Sequence, residues 1–265
     1  MRPPVPFGQY VPIDSPVHRR AARAKMILVV SYTVLLFTSS DFRGLLLAAA
    51  FAFGAIAVSR VPLRLVLRGL RAVSILLAFT FLAHALRWNP ATVTLVRIGP
   101  IGVDPDGAVT GLFFVARIML LVVGTSLLTL TTSPVDLTDA LERLFSPMRR
   151  LRVPVDDIAM MLTVALRFIP TTAEEAEKVI VAQAARGARF NEGSLLKRAR
   201  AYVPVLVPLF VGLFRRADEL AIAMESRCYR GGEGRTRLKE SVLTGRDWLV
   251  MIVGTGLMAA GAVVL

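Results

Sequence analysis

Long runs of uncharged, mostly apolar residues constrain this chain more than any other feature of its sequence. The runs occupy residues 26–40, 44–59, 72–86, 109–135 and 248–265. Several have only about 15–18 residues, which gives about 22–27 Å of helix, whereas the hydrocarbon core of a bilayer is about 30 Å thick. Flanking arginine and lysine side chains can bridge the difference by reaching the headgroups. The sequence therefore predicts an all-α, polytopic membrane protein with about five spanning helices.

Most of the basic residues lie before the first run, between the second and third runs, or between the fourth and fifth runs. The chain has 32 Lys and Arg residues against 19 Asp and Glu, a net charge of +13. All but four of the basic residues lie in the N-terminal segment, in the turn after the second run, or in residues 132–246. Because cytoplasmic loops are enriched in Lys and Arg, these segments are predicted to be cytoplasmic, and five spans then place the C-terminus outside. Anionic lipid, rather than nucleic acid, is the expected partner of this charge.

These features divide the chain into four parts. They are a cytoplasmic N-terminal segment (1–25), a four-helix transmembrane region (26–131), a cytoplasmic or interfacial helical region (132–246) and a final transmembrane helix (247–265). No signal peptide is expected, because no small-residue cleavage site follows the first apolar run. In the third part, residues 158–169 and 203–214 are apolar but only about 12 residues long, which favours interfacial or buried helices over spans. If both crossed the membrane, the protein would have seven spans and the same end orientations.

The third part is helical in pattern but too charged to lie in the membrane throughout. The pattern predicts a short amphipathic helix at about 136–144, a second helix from about Val155, and a third from about Ser194 to Tyr229. Pro170 is expected to end the second helix. Residues 171–174 (TTAE) then resemble a capping box, which predicts a separate charged helix ending around residues 185–187.

We find no catalytic, cofactor-binding or metal-binding pattern in the sequence. A single cysteine, Cys228, and two histidines exclude a disulfide framework and a Cys/His metal cluster. The glycine-rich residues 231–234 are not followed by a Lys-Ser/Thr pair, so they do not form a phosphate-binding loop. Any ATP-driven activity must therefore come from a partner. His84 and Arg117 lie within predicted spans: His84 fits simple packing, and Arg117 either extends to the outer headgroups or serves a function.

Two similar segments stand out in the charged region. They are residues 183–189 (QAARGAR) and 223–231 (AMESRCYRG), and each places an arginine after small residues at the end of a charged helix. Singly, each fits an ordinary helix C-terminus, where Arg interacts favourably with the helix dipole and Gly is a common stop. A pair of them indicates two partner-binding tips, because small residues permit close approach and Arg offers fixed donors to carboxylates and carbonyls.

The pair resembles the two Ala-Arg-Gly motifs of the transmembrane (T) subunit of energy-coupling-factor (ECF) transporters, the family that contains the cobalt-transport permease CbiQ. Residues Ala185, Arg186 and Gly187 match the first motif fully. The second motif is represented by Ser226, Arg227 and Cys228, which keep the arginine but replace the alanine and the glycine. Four spans, a cytoplasmic helical block and one final span also match, so the resemblance covers nearly the whole chain.

The resemblance implies a non-catalytic coupling subunit in the plasma membrane of a prokaryote. In that family the motif arginines lie at the ends of two long coupling helices, which dock into grooves on a pair of ABC-type ATPases. A separate substrate-binding subunit, the S component, is the other expected partner, and vitamin or transition-metal uptake is the expected function. The apolar faces carrying Met160, Met161, Leu206 and Phe210 are the expected contact with that subunit.

Three other functions stay open on the sequence alone. A conventional ABC permease that binds its own substrate would need a polar cavity among the spans, where only His84, Arg117 and scattered Ser and Thr residues are available. An integral-membrane enzyme would need an acid/base constellation, and a membrane scaffold would have no ATPase partner. The sequence does not identify the transported substrate, nor does it tell a dedicated S component from a shared one.

Overall fold

The computed structural model describes residues 10–88, 96–98, 101–190, 192–231 and 243–264. These residues are overwhelmingly helical, which confirms the predicted all-α class. The helices are, in chain order, α1 (Ala22–Thr38), α2 (Phe42–Ser59), α3 (Leu63–Ala85), α4 (Pro105–Thr131), α5 (Pro134–Phe145), α6 (Val155–Ala185), α7 (Leu195–Ala201), α8 (Val203–Ser226) and α9 (Gly245–Val264). The chain forms two compact units: unit 1 comprises residues 1–140 and 240–265, and unit 2 comprises residues 141–239.

Five of the helices in unit 1 correspond to the five apolar runs. Among the described residues, α2, α3 and α4 are long and apolar enough to cross a membrane. The 17 residues of α1 leave it shorter than these three. The polytopic membrane fold is thus confirmed, and the count of five spans stays a prediction.

Contacts between α1 and α4 show that these two helices are antiparallel. Lys25 Nζ, near the start of α1, donates a hydrogen bond of 2.7 Å to the carbonyl oxygen of Thr131, the last residue of α4. One to two turns further along α1, the Tyr32 hydroxyl donates to the carbonyl oxygen of Leu120 at 3.0 Å. The start of α1 and the end of α4 therefore lie at the same end of unit 1, as four alternating spans require.

The final helix of unit 1, α9, runs parallel to α1. Gly254 lies against Leu28, and Gly261 lies against Leu35, so positions that increase along α9 match positions that increase along α1. The absence of a side chain at both glycines permits this close contact. Both helices therefore begin at the same end of unit 1, which is the arrangement expected if four crossings precede the last one.

The best-packed part of unit 1 surrounds Tyr32. Its cluster consists of buried residues from α1, α2 and α9: Tyr32, Leu35, Leu36, Leu45, Ala48, Ala52 and Met258. Gly124 of α4 faces the Tyr32 ring so closely that a Cβ at this position would lie 2.5 Å from the Tyr32 Cε1 atom. A small residue is therefore required where α4 meets α1.

The connection between α3 and α4 contains a short antiparallel sheet that the sequence analysis did not anticipate. Its strands are β1 (Leu86–Trp88), β2 (Val96–Ile98) and β3 (Ile101–Val103), with β3 in the centre. The sequence also predicts turns at Asn89-Pro90 and Gly99-Pro100, which lie outside the described residues, and at residues 104–107 (DPDG). At the last of these, the Asp104 side chain accepts a hydrogen bond from the Asp106 backbone N–H, and Pro105 begins α4, an ordinary helix start.

In unit 2, the predicted helix break at Pro170 is wrong. Helix α6 is continuous through Pro170 and has 31 residues in all. The Thr171 hydroxyl donates to the carbonyl oxygen of Phe168 and does not cap a new helix. Pro170 removes one backbone hydrogen bond, but Arg216 of α8 lies over the Phe168 ring on one side of it and pairs with Glu175 on the other. These contacts with α8 therefore lie on both sides of the proline.

The predicted third helix is divided in two. Its start near Ser194 is confirmed: Ser194 caps α7 and accepts a hydrogen bond from the Lys197 backbone N–H. Helix α7 ends at Ala201, and α8 starts at Val203, with Tyr202 between them. Pro204, in the first turn of α8, has no N–H to continue the hydrogen-bond ladder of α7, which explains the division.

Candidate docking site at the ends of two helices

Helix α6 ends in a glycine-dependent cap around Arg186. Arg186 is the C-cap residue, and Gly187 follows it with a φ of 89°. The Ala188 N–H donates to the Gln183 carbonyl oxygen at 3.0 Å, and the Gly187 N–H donates to that of Ala184 at 3.0 Å. This is a Schellman-type ending, in which a left-handed residue reverses the chain directly after the arginine.

Helix α8 ends with the same backbone geometry around Arg227. Arg227 is again the C-cap residue, and the Tyr229 N–H donates to the Met224 carbonyl oxygen at 3.0 Å. Cys228 takes the position that Gly187 occupies in α6, with a φ of 57°. The replacement of glycine by cysteine thus leaves the shape of the helix end intact, at the cost of a left-handed conformation in a residue with a side chain.

All six predicted docking residues are exposed. They are Ala185, Arg186, Gly187, Ser226, Arg227 and Cys228. Within the described ranges, neither Arg186 nor Arg227 has a side-chain hydrogen bond or an ion pair. The guanidinium donors of both tips are therefore available to carboxylates and carbonyls of another protein.

Helices α6 and α8 are joined by one polar contact, centred on Arg216. Its guanidinium pairs with Glu175, donates to the Thr171 hydroxyl at 3.4 Å and lies 5.6 Å from the centre of the Phe168 ring. Glu175 precedes Arg186 by eleven residues, and Arg216 precedes Arg227 by eleven residues. Each tip therefore lies about 16 Å along its own helix from the crossing point.

Each of the two helices also exposes an apolar face on the other side of the crossing. Three of the predicted contact residues, Met161, Leu206 and Phe210, are exposed, and Met160 is partly buried. Further exposed apolar residues extend these faces: Ile158, Leu162, Ile169, Val207, Val211 and Phe214. Their spacing of three or four residues places them along one stripe of each helix. Exposed apolar stripes of this size mark a surface for protein or membrane contact.

Comparison with known proteins identifies the family. The family model of CbiQ, described as a cobalt transport protein, matches residues 14–238. The chain belongs to the CbiQ family. A protein of Thermosediminibacter oceani is 46% identical over 259 residues, 98% of this chain and 97% of the relative. A protein of Heliobacterium modesticaldum is 47% identical over 252 residues, which are 95% of this chain and 94% of the relative. A third, from Bacillus subtilis, is 41% identical over 246 residues, which are 93% of this chain and 92% of the relative.

All three relatives are named energy-coupling factor transporter transmembrane protein EcfT. The resemblance predicted from the two arginine motifs is thereby confirmed at the level of the family. This CbiQ-family chain is a membrane protein of a transporter family.

His84 and Arg117, whose roles the sequence of this CbiQ-family chain left open, both make hydrogen bonds within unit 1. The His84 ring donates through Nδ1 to the Thr80 carbonyl oxygen at 2.8 Å and packs 4.9 Å from the Phe114 ring. Arg117 donates to the carbonyl oxygen of Ser39, the C-cap residue of α1, and its guanidinium lies 4.7 Å from the Phe113 ring. This cation therefore sits at the C-terminal, negative end of the α1 dipole, where it is favourable.

Within this candidate site, the polar contact between Glu175 and Arg216 was not predicted from the sequence. One signal could have pointed to it: Glu175 and Arg216 are separated by the same number of residues as Arg186 and Arg227. Opposite charges at matching positions of two related helices favour a contact between them, but such a pairing cannot be told from chance without knowing that the helices cross.

Proposed function

We propose that this protein is the transmembrane coupling (T) component of an ECF importer and has no catalytic activity of its own. Its partners would be two ABC-type ATPase subunits, which bind Arg186 and Arg227, and an S component, which binds the substrate. The observation that carries the proposal is the pair of helix ends with the same cap hydrogen-bond pattern and exposed arginines. The EcfT names of the relatives support it.

The arrangement of α6 and α8 supports a mechanical role in transport. In each helix the arginine tip lies C-terminal to the crossing at Glu175 and Arg216, and the apolar stripe lies N-terminal to it. ATP hydrolysis would change the separation of the two ATPase grooves, and the tips would follow because the arginines hold them there. Rotation about the crossing would then move the apolar stripes, which bear Met161, Leu206 and Phe210 and would contact the S component, together with the partly buried Met160.

Charge reversal at the two tips tests the proposed docking. The double variant Arg186→Glu, Arg227→Glu is expected to abolish co-purification of the ATPase subunits from the native membrane. A matched control is Arg198→Glu, Arg200→Glu, which reverses two exposed charges in α7 of the same unit. Retention of the full complex by the tip variant, or equal loss in the control, would contradict the proposal.

The proposal includes a plasma-membrane location with a cytoplasmic N-terminus and cytoplasmic tips. Cys228 is the single cysteine of the chain and is exposed. When the natural protein is expressed without its ATPase partners, a membrane-impermeant maleimide should therefore label it in inside-out vesicles and not in right-side-out vesicles. The opposite pattern would place the tips outside and eliminate ATPase docking.

A vitamin or a transition-metal ion is the proposed cargo, chosen by the S component. Co-purification from the native membrane, followed by mass spectrometry of the small membrane subunit, identifies that component. Recovery of the T component with substrate bound and no second membrane subunit would favour a permease that binds its own substrate.

A further inference from the structure

Three arginines lie on one face of α3, and the proposed coupling role does not use them. Arg64, Arg68 and Arg71 follow one another at spacings of four and three residues, so they share one stripe of the helix about 10 Å long. All three are exposed. Within the described part of the chain, none of their guanidinium groups has a hydrogen bond or an ion pair. These residues are called the arginine stripe below.

The helices around the arginine stripe offer it no counter-charge. Helix α3 contains no Asp or Glu, and the only acidic residue of α4, which packs along α3, is Asp106. Asp106 adjoins Gly107, which lies against His84 near the other end of α3. His84 is thirteen residues, or about 20 Å of helix, from Arg71. The one carboxylate of this helix pair is therefore far from the arginines.

Two carboxylates in the segments before and after these helices are engaged with other cations. Asp14 is paired with Arg19 and interacts more weakly with Arg60, which precedes α3 and is not part of the arginine stripe. Asp136, at the start of α5, interacts with Lys25 of α1. The arginine stripe therefore keeps its positive charge and favours an anionic partner with oxygen acceptors.

Beyond the arginine stripe, the same face of α3 becomes apolar. Ile75, Phe79 and Leu82 continue the face at helical spacing and are 84%, 68% and 53% exposed. Helix α3 is also one of the helices that are long and apolar enough to cross a membrane. One face of a spanning helix thus carries three unpaired cations, followed by three exposed apolar side chains. This order matches the headgroup and the acyl chain of a phospholipid.

The length of α3 sets the depth of the arginine stripe in a bilayer. With Ala85 at one boundary of the hydrocarbon core, Arg64 is about 31 Å and Arg71 about 21 Å from that boundary. Because the core is about 30 Å thick, Arg71 lies about 9 Å inside the opposite boundary. Helical side chains tilt towards the helix N-terminus, so the guanidinium groups extend back to the level of the lipid phosphates. A phosphate there offsets the high cost of a cation at that depth.

We propose that the arginine stripe of α3 binds the headgroup of an anionic phospholipid, whose acyl chain lies against Ile75, Phe79 and Leu82. The guanidinium groups donate hydrogen bonds to the phosphate oxygens, and their excess charge selects an anionic headgroup over a zwitterionic one. The arginines follow a turn that is predicted to be cytoplasmic, and the cytoplasmic leaflet carries anionic lipid. This site does not depend on ATPase docking at the two helix tips of unit 2, so the two proposals can fail separately.

Neutralising the arginine stripe tests the headgroup selection. The test variant removes its three charges by the substitutions Arg64→Gln, Arg68→Gln and Arg71→Gln. The matched control removes three exposed charges of α7 by the substitutions Lys197→Gln, Arg198→Gln and Arg200→Gln. Each full-length protein is purified in detergent micelles, given equal amounts of phosphatidylglycerol and phosphatidylcholine, and analysed by native mass spectrometry.

The natural protein and the α7 control are expected to bind phosphatidylglycerol at least about five-fold more tightly than phosphatidylcholine, which corresponds to the effect of one arginine at a membrane surface. The test variant is expected to retain less than about a two-fold preference. Equal binding of the two lipids by the natural protein, or an unchanged preference in the test variant, overturns the proposal. An equal loss in the α7 control also overturns it, because the overall charge of the protein would then be responsible.

Photo-cross-linking in the native membrane identifies the occupant and leaves the arginines unaltered. The variant Phe79→benzoylphenylalanine is expected to form adducts with phospholipid. Phe53 of α2 is also exposed, so Phe53→benzoylphenylalanine is the matched control. Adducts at position 79 should be enriched in anionic over zwitterionic lipid by at least about two-fold relative to those at position 53. The same lipid mixture at both positions, or a cross-link from position 79 to another protein, overturns the proposal.

Discussion

Because Cys228 has a left-handed backbone conformation, a single substitution there is expected to stabilise the C-terminal end of α8. Cys228 has a φ of 57°, whereas its counterpart in α6 is Gly187, with a φ of 89°. A left-handed conformation costs a residue with a Cβ about 1–2 kcal/mol, and glycine avoids this cost. Glycine also loses more backbone entropy on folding, about 0.5–1 kcal/mol. The change Cys228→Gly should therefore stabilise the end of α8 by about 0.5–1 kcal/mol.

Hydrogen exchange at the cap reads out this stabilisation directly. The Tyr229 N–H is bonded to the Met224 carbonyl oxygen only while the cap is formed. A stabilisation of about 0.5–1 kcal/mol corresponds to slowing of its exchange by about two- to five-fold at 25 °C. The Ala188 N–H, which makes the same bond in α6, serves as the internal reference and should not change.

A second variant separates backbone strain from loss of the thiol. Cys228→Ala removes the sulfur but keeps the Cβ, so it should leave the exchange rate of the Tyr229 amide close to that of the natural protein. The reasoning is refuted if Cys228→Ala slows exchange as much as Cys228→Gly, or if Cys228→Gly accelerates it.

Three further predictions follow from contacts within single units. The side chains of Glu175 and Arg216 are 38% and 29% exposed. A double-mutant cycle with Glu175→Gln and Arg216→Gln should therefore give a coupling energy of about 0.5–1 kcal/mol. A coupling energy of zero would show that this ion pair does not stabilise the contact between α6 and α8. Gly124→Ala should lower the free energy of unfolding by about 1–3 kcal/mol, because its Cβ collides with the Tyr32 ring; an unchanged melting temperature refutes this. Burial, and then the charge of Lys25, hold the pKa of His18 below its ordinary value of 6.5. The contribution of His18 to stability is therefore present above pH 6.5 and is lost as the pH falls towards the lower pKa of the folded state. The variant His18→Gln should remove that part of the pH dependence of the melting temperature.

Much of the fold was predictable because it rests on local composition. The apolar runs predicted the helices of unit 1 to within a few residues at most ends, since a backbone in lipid must satisfy its hydrogen bonds within the segment. The largest difference between a run and its helix is at the start of α3, which begins at Leu63, nine residues before the third run. Arg64, Arg68 and Arg71 lie in this added part, and helix formation depends on backbone bonding rather than on absence of charge.

Local signals failed at two places in the chain. Pro170 followed by Thr171 has the composition of a helix boundary, yet α6 continues through it, and Arg216 contacts Phe168 before it and Glu175 after it. The sheet between α3 and α4 was missed because its strands have only three residues each, and strand pairing is a contact between segments rather than a property of one.

The sequence by itself determined that this is a helical membrane protein, it predicted that the basic segments lie on one side of the membrane, and it marked Arg186 and Arg227 as a pair. Hydropathy, charge and short motifs are properties of neighbouring residues, and they act before any long-range contact forms. Only the tertiary structure decided that α6 is continuous, that Cys228 takes the backbone position of Gly187, and that Arg216 of α8 pairs with Glu175 of α6. The last of these depends on a distance between residues far apart in the chain, which packing sets and composition does not encode.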